Sequence, residues 1–112
     1  MEIEVRTRLE DIKQAINEIY SFLPKEKEYA VFQEDLKGKR AIERNIEIIG
    51  EAINKILKIH PEFPITNARK IVDTRNRISQ GYDTVSDAII WTIVVRDLEK
   101  LKSEIEKLLT DS

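Results

Sequence analysis

Nine consecutive residues, Arg75-Asn76-Arg77-Ile78-Ser79-Gln80-Gly81-Tyr82-Asp83, gather two guanidiniums, two carboxamides and a phenol. A guanidinium offers a planar fork of donors that matches a phosphate or a carboxylate. A carboxamide both donates and accepts, but it has no pKa in the range where protons are exchanged near neutrality. Arg75 is the residue to explain, because it falls four positions after Ile71 and three before Ile78. That register puts it on the inward face of a helix, where an unpaired charge is costly. It therefore needs a partner: an internal carboxylate, an approaching subunit, or a phosphate held in a cleft. Glu51 is the candidate internal carboxylate. Between Thr66 and Tyr82 the cations Arg69, Lys70, Arg75 and Arg77 face Asp73 alone, a local excess of +3. Such an excess attracts phosphate, although an ordinary solvated face has a similar composition.

The elements that must position these groups read as helices. Val5, Leu9, Ile12, Ile16, Ile19 and Leu23 recur at alternating spacings of four and three, and Pro24 closes the run. Tyr29 to Leu36 reads as a short helix or as the first turns of the next one, with a break near Gly38. From about Lys39 the stripe resumes as Ile42, Ile46, Ile49, Ile53 and Ile56 and ends at His60-Pro61. A loop containing two prolines leads to a third long helix, capped by Thr66 or Asn67 and running to about Gln80. Gly81 suits the left-handed residue that ends a helix. Thr84, with Asp87 three residues on, suits the cap of a last helix whose stripe is Trp91, Val94, Leu98, Leu101, Ile105 and Leu108. Short connections between four principal helices predict an all-α, antiparallel four-helix bundle, with the short helix over 29–36 as an extra element. Ala88 to Val95 is apolar on nearly every face, which predicts a homodimer with this segment at or near the interface.

Composition narrows the chemistry. The 112 residues suit one domain spanning 1–112. With no cysteine and only one histidine, disulfides, thiolate metal sites, cysteine nucleophiles and histidine-cluster metal sites within one subunit are excluded. No metal or cofactor is expected. His60, beside Pro61, reads as a solvent-facing histidine at a helix end. The lack of a long apolar run or a signal-like N-terminus predicts a cytoplasmic protein with no membrane association. The Glu- and Lys-rich tail from Glu99 to Lys107 reads as a solvated face, and Tyr82 alone would read as an amphipathic helix-end residue.

The same residues carry a resemblance. Arg75, Gly81 and Tyr82 stand as in the Arg-x4-His-x-Tyr motif of the HepT-like branch of the HEPN superfamily, with Gln80 where that family has histidine. Asn76 supplies the polar residue favoured after the arginine. Arg44-Asn45-Ile46-Glu47-Ile48-Ile49-Gly50-Glu51-Ala52 resembles the family's second-helix signature, and Trp91 lies in a similarly placed apolar helix. The resemblance implies a dimeric, metal-independent RNA endonuclease, the toxin of a toxin–antitoxin pair, with paired motifs meeting in a dimer cleft. It implies Arg75 as phosphate clamp, Asn76 as its polar helper and Gln80 in the place of the catalytic histidine. Arg77 and Asp83 are expected as flanking binding residues. It implies Tyr82 as the site where a partner minimal nucleotidyltransferase of the MntA type attaches AMP. Because a carboxamide cannot shuttle a proton, cleavage is expected to be impaired. The alternative is a non-catalytic helical substrate-binding subunit of such a nucleotidyltransferase.

Overall fold

In a computed structural model of the chain, residues 2–23, 28–79 and 87–111 are described. Pro24 and the predicted turn and cap at Gly81 and Thr84 lie outside them. Helix α1 spans Ile3–Phe22, α2 Tyr29–Glu34, α3 Leu36–Ile59 and α4 Ala68–Ser79. A last rod begins as α5, Asp87–Thr92, passes through a π-helical turn at Ile93–Asp97 and continues as α6, Leu98–Asp111.

The two long isoleucine-rich stripes become the core. Val5, Leu9, Ile12, Ile16 and Ile19 of α1 are buried against Ile42, Ile46, Ile49, Ile53 and Ile56 of α3. A spacing of four and three lays these side chains along one face, and packing two such faces removes both from water. Leu23 packs at the margin of this core. Helix α3 also packs along α4, so it is covered on two sides.

Neighbouring rods run antiparallel. The start of α1 meets the end of α3, where Glu2 Oε1 lies 3.6 Å from His60 Nε2. The start of α4 meets the last rod through Thr66, which donates its amide and hydroxyl to the Glu104 carboxylate at 2.8–3.3 Å. The end of α1 meets the start of α6, where Lys102 Nζ lies 5.5 Å from the Tyr20 ring centroid. Burial at that seam, and then the Glu99 carboxylate, hold the Tyr20 phenol above its ordinary pKa. The result, among the described residues, is an all-α antiparallel bundle.

Three local expectations are corrected. The break before α3 falls at Asp35, not Gly38. Asp35 caps α3 by accepting the Gly38 amide at 3.0 Å, so α3 starts at Leu36 and Gly38 lies inside its first turn. Thr66 is engaged by Glu104 instead of capping α4. Asn67, at φ 60°, is the residue whose carbonyl accepts the Ile71 amide at 3.2 Å; asparagine tolerates that left-handed conformation better than most residues.

The third correction concerns Ala88 to Val95, which one chain covers more fully than the sequence suggests. Trp91 is half-buried against α2, its ring centroid 5.1 Å from Phe32 and 5.9 Å from Tyr29. Ile90, Ile93 and Val94 enter the core. The π turn sets this register: the Leu98 amide donates to the Ile93 carbonyl five residues back. Ile90, upstream of it, and Ile93, its first residue, face inward more fully than Trp91. What remains open is a narrow strip of Ala88, Thr92 and Val95, the last 38% exposed.

Candidate functional site

Arg75 lies on the face of α4 that packs on α3, one turn beyond Ile71, which is fully buried. Its side chain is only half-buried. The methylene stem crosses α3 at Gly50: a Cβ built on Gly50 would collide with Arg75 Cβ and lie 2.9 Å from Cγ. The guanidinium continues past this crossing, and its Nη1 donates to Asn76 Oδ1 at 2.8 Å. Among the described residues no carboxylate forms an ion pair with it. The arginine thus has a buried stem and a head that reaches water, as long cationic side chains on helices commonly do.

The candidate internal partner does not fulfil its role. Glu51 is exposed and pairs with Lys55 at 3.4 Å along its own helix. It follows Gly50 by one residue, and a rotation of about 100° per residue carries its carboxylate away from α4.

The local positive field is also smaller than the count suggests. Lys70 reaches across to the last rod, where its ammonium lies 2.9 Å from Asp97 Oδ2. The Asp97 side chain is 4% exposed and that of Lys70 41%. Asp97 sits in the π turn, 27 residues from Lys70, so no reading of the 66–82 segment could include it. Arg69 and Arg77 are exposed, as is Asp73.

Of the predicted site residues, Arg75 and Asn76 are brought into direct contact, and Arg77 is exposed on the same helix. Gln80, Tyr82 and Asp83 lie outside the described residues. The second-helix segment has mixed placements. Arg44 is exposed near Glu47 at 3.9 Å, Asn45 is buried and donates to its own helix at the Ala41 carbonyl, and Gly50 is buried beneath Arg75.

His60 stands apart. It caps the far end of α3, about 15 Å along the helix axis from Gly50 at 1.5 Å per residue. There it borders an open, largely apolar cavity of about 730 Å³ floored by Val5, Ile59 and Phe63. Neither Arg75 nor Asn76 lines that cavity. Among the described residues no cluster of three or more histidine or acidic side chains could hold a metal ion, and no helix is long and apolar enough to cross a membrane.

A helical bundle of this topology with an arginine-bearing fourth helix fits the HEPN class. Residues 12–108 match the family described as ribonuclease HepT-like. A protein of Thermococcus cleftensis, named as a probable HepT ribonuclease, is 36% identical over 104 residues, covering 89% of this chain and 91% of that one. Two Methanocaldococcus jannaschii proteins named as candidate RNases are 31% and 28% identical; they cover 92% and 96% of this chain, and 94% and 89% of their own lengths are matched. No solved structure gives a significant match. The chain belongs to the HepT-like ribonuclease family.

Proposed function

We propose that this protein is a HEPN-type RNA endonuclease toxin of a toxin–antitoxin pair, acting without metal at a cleft between two copies of the chain, and impaired by Gln80. One observation carries the reading: Arg75 projects a guanidinium that has no acidic partner among the described residues and is steadied by Asn76 at 2.8 Å. Among the described residues only Asn76 takes a donor of this group, and the remaining donors suit a scissile phosphate and the charge that builds on it. In such cleavage the ribose 2′-hydroxyl gives up its proton as its oxygen bonds to phosphorus, the bond to the leaving oxygen breaks, and that oxygen takes a proton. A histidine can move those protons; Gln80 can only hold hydrogen bonds. Tyr82 is the proposed AMP acceptor for a partner nucleotidyltransferase, and Arg77 and Asp83 are proposed to contact the RNA.

The test compares the parent chain, Gln80→His and Gln80→His/Arg75→Ala for growth arrest on expression and for cleavage of RNA by the purified proteins. The expected result is a gain of about 10²–10⁴-fold with histidine, abolished when Arg75 is removed. Should all three forms stay harmless and inert, the second reading takes over. Gln80 itself favours that one: a non-catalytic subunit that docks on a nucleotidyltransferase and helps to present its substrate. Mass spectrometry after co-expression with the partner decides the Tyr82 assignment, which fails if no AMP is gained there.

A further inference from the structure

We propose that Gly50 is a positioning residue for Arg75: its lack of a side chain lets the arginine stem lie directly on α3 and so sets where the guanidinium emerges. The inference rests on the reading of Arg75 as the phosphate-binding group. The argument turns on which atoms would collide. A methyl at position 50 would strike Arg75 Cβ, lie 2.9 Å from Cγ and come within 3.3 Å of the Ile71 carbonyl oxygen. These are the root of the arginine and the backbone of α4, not the mobile end of a long side chain. No rotation of the guanidinium relieves them, because Cβ is fixed to the helix backbone. The relief available is an outward shift of α4, which carries Arg75 and Asn76 together. Both helices are otherwise locked by fully buried neighbours, Ile49 and Ile53 on α3 and Ile71 on α4, so the close approach occurs at Gly50 in a tightly packed seam. A shift of about an ångström there is small for the fold and large for a group that must meet a phosphate within hydrogen-bond distance.

The test uses the full chain and a fluorescent single-stranded RNA whose 2′-oxygens are methylated, so that binding is read without cleavage. Gly50→Ala is expected to move the Arg75 Nε resonance in proton–nitrogen spectra and to weaken RNA binding about tenfold or more, the loss expected for a charge-assisted contact. In an Arg75→Ala background the same glycine substitution is expected to change RNA affinity no further, since the two act through one guanidinium. Equal losses in both backgrounds would make Gly50 merely structural and overturn the proposal, as would an unmoved resonance with unchanged affinity. If Gly50→Ala does not fold, Gly50→Ala/Arg75→Gly removes the opposing Cβ; recovered folding supports the close approach and continued unfolding refutes it. If Arg75→Ala binds RNA as well as the parent, the proposed function falls, and the resonance alone then judges the positioning inference.

Discussion

Arg75 and Lys70 are both cations on α4, yet their surroundings differ in a way their sequence context hides. Arg75 has a buried stem and a head held by a neighbouring amide, whereas Lys70 neutralises a carboxylate that is almost wholly removed from water. Removing one member of such a pair costs more when the stranded charge is the buried one. Lys70→Ala strands Asp97 and is expected to lower stability by about 1–3 kcal/mol, the solvent-reachable lysine keeping the loss below that of a fully buried pair. Asp97→Asn leaves a lysine that hydrates freely and is expected to cost less. Urea unfolding of the two variants beside the parent checks the order, and an equal or reversed cost would show that Asp97 does not depend on its partner.

Among the elements, the last rod departs furthest from simple periodicity. Its apolar residues support a regular stripe through Trp91 and Val94, but with the π turn at Ile93–Asp97 Ile90 and Ile93 join Val94 in the core while Trp91 stays half-buried. Trp91 is thereby turned toward Tyr29 and Phe32, which gives the six-residue α2 its packing partner. A π turn is equivalent to one residue inserted into an α-helix. Deleting Val95, which is exposed, should convert the turn to ordinary helix with the faces on either side still in register, and cooperative unfolding should persist. Deleting Lys100, also exposed, should rotate every later residue by about 100° and drive charges into the core. Circular dichroism melts of the two deletions distinguish these outcomes. Loss of folding with the Val95 deletion would mean that the turn has a structural role beyond register.

For the whole molecule, the surface that bears on the proposed dimer is the strip of Ala88, Thr92 and Val95. In the proposed dimer a second copy lies there, with two Arg75 groups facing one cleft. Val95→Glu places a charge on the strip without touching the core of one chain, so the mass in sedimentation is expected to fall from twice 13.1 kDa to the single-chain value. A parent chain that sediments as a monomer would remove the shared cleft from the proposal. Cleavage by the Gln80→His form is expected to fall together with dimer mass in the Val95→Glu background.

The sequence by itself determined the helices, the inward stripes of α1 and α3, and membership in the family. Those features repeat at intervals of three and four residues or sit in one short motif, so each is written locally. It also placed Arg75 on the inward face of its helix, a position the structure fills with the stem of a half-buried side chain. Tertiary structure alone decided that Gly50 lies beneath Arg75, that Lys70 is neutralised by Asp97, that Glu51 turns to Lys55, and that α2 covers Trp91. Except for the turn of Glu51 along its own helix, each of these joins residues far apart in the chain and leaves no periodic trace. A contact made by packing two helices depends on their relative rotation and separation, which the fit of the whole core sets.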